Sequence, residues 1–133
     1  TRFSLSMQEG IDLVVYALKN GCGGEVIVPI VPSYRILDMA MAIAPDIEHR
    51  IIGIRAGEKL DEIMITKNES PHTVRRDGYY IICPVEGNWS HNEYCEKNNV
   101  KRVKDNFEYD SAINTEWLSV EQIKKLIVIE NIL

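Results

Sequence analysis

In the first 66 residues, apolar runs with helical spacing alternate with apolar runs typical of strands. This alternation constrains the fold more than any other feature of the sequence. Apolar side chains recur at helical spacing over Ile11–Leu18, and Gly21 ends that pattern. The β-branched run Glu25–Ile30 predicts a buried strand. Ser33 can cap a second helix, which stops before Pro45. Strand and helix in alternation predict an α/β fold with a small, partly parallel sheet and flanking helices.

The third unit of this alternation, Ile51–Thr66, carries the most informative polar groups. Its pattern predicts a strand that ends at Arg55, a turn at Ala56-Gly57 and a helix that begins at Glu58. A guanidinium at the mouth of such a loop can grip a diphosphate, and a carboxylate can accept hydrogen bonds from ribose hydroxyls. Alternatively, Arg55 is a surface side chain and Glu58 only complements the helix macrodipole. The spacing alone leaves both interpretations open.

The second half of the chain is more polar. Tyr79–Pro84 predicts a further strand, and 87–118 reads as an excursion over the surface. Within it, Lys97–Lys104 is a small basic cluster flanked by acidic residues, typical of a solvated face. Ser119 and Gln122 form a capping box that predicts a C-terminal helix.

Composition narrows the possible partners and the compartment. The net charge of −5 argues against a nucleic-acid partner, and the absence of an apolar run of about 18 residues argues against a membrane helix. Cys22, Cys83 and Cys95 have no regular spacing, which predicts reduced thiols in a cytoplasmic protein. No leader precedes the first helix. Because the chain begins at Thr1, we expect it to be a fragment of a longer protein.

Other motifs predict neither catalysis nor a metal site. The glycines of Gly21–Gly24 follow a helix and precede a strand, which is the wrong order for a dinucleotide loop. His91 and Cys95 have a ligand spacing but lack a second pair. Cys83 lies in an apolar strand and is expected to be a core thiol. With no general acid–base pair and no nucleophile elbow, the chain alone is predicted to bind a ligand and catalyse nothing.

Several runs occur in an order that resembles a known family. They resemble the C-terminal part of the inverting UDP-N-acetylglucosamine 4,6-dehydratases, which are extended short-chain dehydrogenases/reductases of the pseudaminic acid pathway. The resemblance covers residues 1–85 and continues more loosely through 114–119. Its most specific part is the Gly-Glu-Lys-Leu core that follows an arginine. The runs are Thr1-Arg2-Phe3, Gly24–Pro29, Ile30–Ser33, Ala44-Pro45 and Ile51–Thr66.

The resemblance implies a division of labour within a longer enzyme. Residues 1–133 would be the substrate-binding C-terminal domain, and an N-terminal Rossmann domain outside this chain would bind NADP and carry the catalytic residues. This chain alone would then bind no cofactor. The implied reaction oxidises C4 of the sugar, removes water across C5–C6 and returns the hydride to C6 with inversion at C5.

The resemblance also implies roles for three residues. Arg2 and Arg55 would contact the diphosphate of UDP-N-acetylglucosamine, and Glu58 would hold the ribose. A homo-oligomer is expected of the full-length enzyme, and the isolated chain is expected to oligomerise or aggregate through an exposed apolar face. Two alternatives stay open: a related UDP-N-acetylglucosamine epimerase/dehydratase of capsule synthesis, and a nucleotide-sugar binding module without chemistry of its own.

Overall fold

The structure is a computed structural model that describes residues 1–129. Its helices and strands, in chain order, are β1 (Arg2–Phe3), α1 (Met7–Asn20), β2 (Val26–Pro29), β3 (Ser33–Tyr34), α2 (Ile36–Ile43), β4 (Ile63–Ile65), β5 (Thr73–Arg76), β6 (Tyr79–Ile82), α3 (His91–Asn98), β7 (Tyr109–Asp110) and α4 (Val120–Ile129). A short 3-10 helix spans Ser70–His72. No helix among these residues has the length and hydrophobicity needed to cross a membrane.

The chain divides into two compact units, each assembled from segments distant in sequence. The first unit comprises Thr1–Met7, Val31–Glu62 and, among the described residues, 110–129. The second unit comprises Gln8–Ile30 and Ile63–Tyr109. Each unit has its own buried cluster, so each is described separately.

The first unit is organised around Ser33, which is completely buried. In β3, Ser33 pairs antiparallel with Phe3 of β1. Its N–H donates to the carbonyl of Glu116 at 2.8 Å, and its carbonyl accepts from the N–H of Leu118 at 2.8 Å. These bonds form a parallel bridge between Ser33 and Trp117. Every backbone group of this buried residue is therefore paired, as burial demands.

Two helices close the first unit. Helix α2 packs against α4, and the buried side chains of the contact are Ala42, Ile123 and Ile127. Helix α4 begins with the predicted capping box: the Ser119 N–H donates to the side chain of Gln122 at 2.8 Å, and the Gln122 N–H donates back to the Ser119 hydroxyl at 3.3 Å. The prediction of a capped C-terminal helix is confirmed.

The second unit contains a three-stranded antiparallel sheet in the order β2-β6-β5. Strands β5 and β6 are joined by Asp77-Gly78, whose φ angles of 52° and 84° are those of a two-residue hairpin turn. Beneath the sheet, Val74, Ile81 and Cys83 form a buried cluster with Tyr94 of α3. Strands β4 and β7 form a separate two-stranded sheet. Segment 87–118 therefore includes helix α3 and strand β7.

The α/β class is confirmed, together with the predicted elements α1, β2, β6 and the end of α2 before Pro45. The ladders of β1–β3 and β2–β6–β5 are antiparallel, and the parallel pairing in the first unit is the single Ser33–Trp117 bridge. The two-residue turn Asp77-Gly78 explains the antiparallel pairing of β5 with β6, because such a turn reverses the chain.

Three local predictions were wrong. Ile51–Ile54 forms no strand, and Glu58 begins no helix; the chain from 44 to 62 contains no helix or strand. The apolar pattern there misled because its side chains are exposed: Ile51 is 78% exposed and Leu60 73%. Ser33 is a strand residue, and the residue before α2 is Arg35, which makes no side-chain cap.

Replacing Ile81 should destabilise the second unit, because its side chain is only 1% exposed within the buried cluster. We expect Ile81→Ala to lower the free energy of unfolding by about 2–5 kcal/mol, the usual cost of such a cavity. Val85→Ala is the matched control, because Val85 is 78% exposed. Urea denaturation followed by circular dichroism measures both, and equal effects would contradict the assigned core.

Candidate functional site

An open cavity of about 770 Å³ in the first unit is the candidate site. Its charged and titratable lining comprises five basic side chains and two acidic ones, Glu48 and Glu58. Isoleucines of the 51–54 segment and residues of α2 supply apolar walls. A basic concavity with apolar walls suits a ligand that combines an anionic group with flat or aliphatic parts. The basic lining residues are Arg2, Arg35, His49, Arg50 and Lys59.

Arg55 and Glu58 are the ends of a tight turn. The Glu58 N–H donates to the Arg55 carbonyl at 3.1 Å, and the Arg55 N–H donates to Glu58 Oε2 at 2.8 Å. Gly57 has φ +85°, the conformation that the third residue of a type II turn requires. Glu58 is thus fixed by the turn rather than by a helix start. Its carboxylate still has acceptor positions, because one hydrogen bond uses only part of its capacity.

The Arg55 guanidinium lies outside the cavity lining, whereas Glu58 lies within it. Arg55 Nε is 4.0 Å from Glu58 Oε1, and the Arg55 side chain is 76% exposed. An exposed pair at this distance contributes little to stability. The guanidinium is therefore not held by strong contacts, and it remains able to bond an anion beside the cavity.

Arg2 is bound by the loop that carries Glu58. Its Nη1 donates to the carbonyls of Thr1 at 2.6 Å and Leu60 at 3.1 Å, and its Nη2 donates to the carbonyl of Lys59 at 2.9 Å. Its Nε is 3.4 Å from Glu62 Oε1. Since a guanidinium has five N–H donors, most of those of Arg2 serve the protein itself. Arg2 thus braces the 59–62 segment against β1.

The 59–62 segment has a second attachment to the start of the chain. The Thr1 hydroxyl donates to Asp61 Oδ1 at 2.6 Å and contacts the Ser111 hydroxyl at 2.7 Å. The hydrogen bond from Thr1 holds the pKa of the Asp61 carboxyl below its usual range. The Ser111 hydroxyl also accepts from the N–H of Glu62 at 2.9 Å. The 59–62 segment is therefore held by hydrogen bonds to Thr1 and Ser111, although it contains no helix or strand.

Two cavity arginines were missed by the sequence analysis. Arg35 precedes α2, its guanidinium carbon lies 5.0 Å from the centre of the Trp117 ring, and its Nη1 is 3.9 Å from Asp38. The Trp117 indole donates to the Asn114 carbonyl at 2.7 Å, which fixes the ring. Arg50 lies in the irregular segment that was predicted to lead into a strand. Neither arginine belongs to a motif, so no signal in the sequence distinguishes it from a surface residue.

The other singled-out residues lie in the second unit. Cys83 is 2% exposed, as predicted for a core thiol, and burial raises its pKa to about 12. Cys95 Sγ lies 3.6 Å from Nε2 of His91. Within residues 1–129, no three His, Cys, Asp or Glu side chains lie where they could hold a metal ion.

The glycine run was tested as a dinucleotide loop. Helix α1 ends at Asn20, just before the run Gly21–Gly24, and strand β2 begins at Val26. A dinucleotide loop instead follows a strand and opens a helix. The Gly21–Gly24 run therefore does not have the arrangement of a dinucleotide-binding loop.

Comparison with known proteins identifies the class. The family described as "Polysaccharide biosynthesis protein" matches residues 1–84. The chain belongs to this family.

Comparison with individual proteins is more specific than the match to the family. The chain is 40% identical to a Campylobacter jejuni protein named "UDP-N-acetylglucosamine 4,6-dehydratase (inverting)", in an alignment of 133 positions that covers 96% of this chain and 39% of that protein. It is 32% identical to a Rickettsia felis "UDP-glucose 4-epimerase", over 96% of this chain and 38% of that protein. The resemblance to the inverting dehydratases is confirmed.

A solved structure shares the fold. The X-ray structure of Pen from Bacillus thuringiensis superposes with a TM-score of 0.78 at 25% identity, covering 98% of this chain and 39% of that one. The chain spans about two fifths of the length of each of these proteins, as shown by coverage of 39%, 38% and 39%.

The raised pKa of Cys83 gives a test of the second unit's core. At pH 8 a thiol of pKa about 12 is almost entirely protonated, and the thiolate is the reactive form. We expect iodoacetamide at pH 8 to alkylate the exposed Cys22 and leave Cys83 unmodified in the folded protein. Peptide mass spectrometry reads out each site, and denaturant should expose Cys83. Comparable labelling of both thiols before denaturation would contradict the burial.

Proposed function

We propose that this chain is the UDP-sugar-binding portion of an NADP-dependent, C5-inverting UDP-N-acetylglucosamine 4,6-dehydratase. The enzyme would act in nucleotide-sugar supply for polysaccharide or flagellin-glycan biosynthesis. The observation that carries the proposal is the cavity of the first unit, whose lining includes five basic side chains together with Glu48 and Glu58. The 40% identity to the Campylobacter jejuni dehydratase supports the choice of substrate and reaction.

The cavity offers separate positions for the parts of a nucleotide sugar. A diphosphate needs several guanidinium or ammonium groups, and Arg35, Arg50 and Lys59 supply them from different segments. Arg55 stands at the edge with an exposed guanidinium able to bond a phosphate oxygen. Glu58 has acceptor capacity left for ribose hydroxyls. Arg2 would act partly by positioning, because its donors hold the loop that carries Glu58.

The rest of the proposal concerns the whole protein. We propose that residues 1–133 form its substrate-binding domain and that NADP and the catalytic residues belong to a part outside this chain. The coverage of 39% of the dehydratase relative is consistent with such a part. Exposed apolar side chains on α1, including Leu18 at 82% and Met7 at 72%, favour contact with further protein. A cytoplasmic homo-oligomer completes the proposal.

A second candidate is favoured by a specific observation. The 32% identity to the Rickettsia felis epimerase shows that the same architecture occurs in proteins named for sugar epimerisation. An epimerase/dehydratase would use the same cavity and release a different product. Proton NMR of the product formed by the full-length protein from UDP-N-acetylglucosamine and NADP separates the candidates. A 4-keto-6-deoxy sugar inverted at C5 supports our choice, and a 4-epimer or a C5-retained product rejects it.

Arg55→Ala in the full-length protein tests the binding role of the turn. Loss of one charge-assisted hydrogen bond costs roughly 1.5–3 kcal/mol, so we expect the Kd for UDP-N-acetylglucosamine to rise about tenfold to a hundredfold. The measurement is isothermal titration calorimetry.

Arg75→Ala is the matched control for this variant. Arg75 is an exposed arginine of β5 in the second unit, so its loss changes the net charge equally without touching the cavity. Its Kd should stay within about twofold of the wild type, since surface changes away from a site have small effects. An unchanged Kd for Arg55→Ala would remove Arg55 from the site.

A further inference from the structure

The second unit contains a cavity that the proposed function does not use. It has a volume of about 480 Å³ and shares no lining residue with the cavity of the first unit. His72, His91 and Arg102 line it, together with Ser90 and Asn92. We name it the histidine–arginine cavity after the first three of these residues.

The three nitrogen-bearing side chains come from three separately anchored segments. His72 ends the 3-10 helix, and its carbonyl accepts from the Cys83 N–H at 2.8 Å beside the core. His91 opens α3, whose first turn is closed by the capping box between Ser90 and Glu93. Arg102 forms an antiparallel bridge with Val74 of β5. A site whose walls are fixed this way needs little ordering when a ligand binds.

The donors at this cavity are only partly engaged. Arg102 Nη2 donates to Asp105 at 2.6 Å, which leaves other N–H groups of the guanidinium available. The His91 ring contacts Cys95 Sγ through Nε2 at 3.6 Å and through Nδ1 at 3.9 Å. The His72 ring stands edge-on to it, with centroids 6.5 Å apart.

The charges around the cavity favour an anion. No carboxylate is part of its lining. Asp105 pairs with Arg102, and Glu93 accepts from the Ser90 N–H at 2.6 Å in the capping box. The first turn of α3 adds the positive end of a helix dipole at Ser90 and His91.

We propose that the histidine–arginine cavity binds a phosphate group. A guanidinium and two imidazoles on different segments can donate to separate oxygens of one tetrahedral oxyanion. Such a site does not depend on the cavity of the first unit and would be present whatever reaction the protein catalyses. The group could arrive as inorganic phosphate or as part of a phosphorylated metabolite, and both present the same oxygens.

The test uses the full-length protein in a phosphate-free buffer with saturating UDP. Inorganic phosphate is the probe, and its 31P line width reports exchange with the protein, while the UDP resonances report the first cavity separately. We expect broadening with wild type and at least a fivefold smaller broadening with Arg102→Gln and with His91→Gln. Lys101→Gln is the matched control, because it removes one positive charge from an exposed neighbouring residue outside the lining.

The outcomes separate this site from the nucleotide cavity. Broadening retained in Lys101→Gln and lost in the two cavity variants supports the site. No broadening with wild type, or the same broadening in all variants, overturns it. If UDP itself fails to bind, the proposed function fails and the phosphate comparison still stands. Circular dichroism shows whether each variant folds. If Arg102→Gln does not fold, the line broadening measured with His91→Gln decides the test. A second titration replaces inorganic phosphate by glucose 6-phosphate. Stronger broadening of the ester line indicates a phosphorylated metabolite as the ligand, and stronger broadening of the phosphate line indicates the free ion.

Discussion

The first unit depends on the hydrogen bonds that the backbone of Ser33 makes. This buried residue pairs with Phe3 of β1 on one side and bonds Glu116 and Leu118 on the other. Asn114 adds bonds from its side-chain amide to the Val31 carbonyl at 2.9 Å and to the Ser33 hydroxyl at 3.0 Å. Because buried backbone groups must be paired, these bonds fix three distant segments relative to each other. The positions of Arg35 and Trp117 follow directly from this junction.

The cavity of the first unit is consequently built on irregular backbone that is held by hydrogen bonds. The loop below it would be mobile on its own, since the isoleucines before Arg55 are exposed and no helix or strand supports them. Arg2 and Thr1 attach it to β1, and the turn at Gly57 fixes Glu58. Binding groups on loops are usual where a more regular scaffold positions the ends. Here the scaffold is the β1–β3 pair and the α2–α4 contact.

Sequence reasoning predicted the amphipathic and buried elements well. Helices α1 and α4 and strands β2 and β6 were predicted because periodicity and capping reflect local preferences. It failed over 51–62, where Ile51, Ile52, Ile54 and Leu60 are exposed and form no helix or strand. It also singled out Glu58, now found in a basic cavity, but gave no reason to select Arg35 or Arg50. Those arginines become neighbours of Glu58 only through contacts between distant segments.

The sequence by itself therefore determined the α/β class, the family and the identity of the Arg-x-x-Glu turn. Each of these depends on residue order within a short window or on ordered runs along the chain. Only the tertiary structure decided that no helix directly follows the turn. It also decided that the N–H donors of Arg2 bond backbone carbonyls, two of them in the 59–62 segment. It also brought five basic side chains into one cavity with Glu48 and Glu58. Convergence of this kind comes from long-range hydrogen bonds and packing, which leave no periodic trace in the sequence.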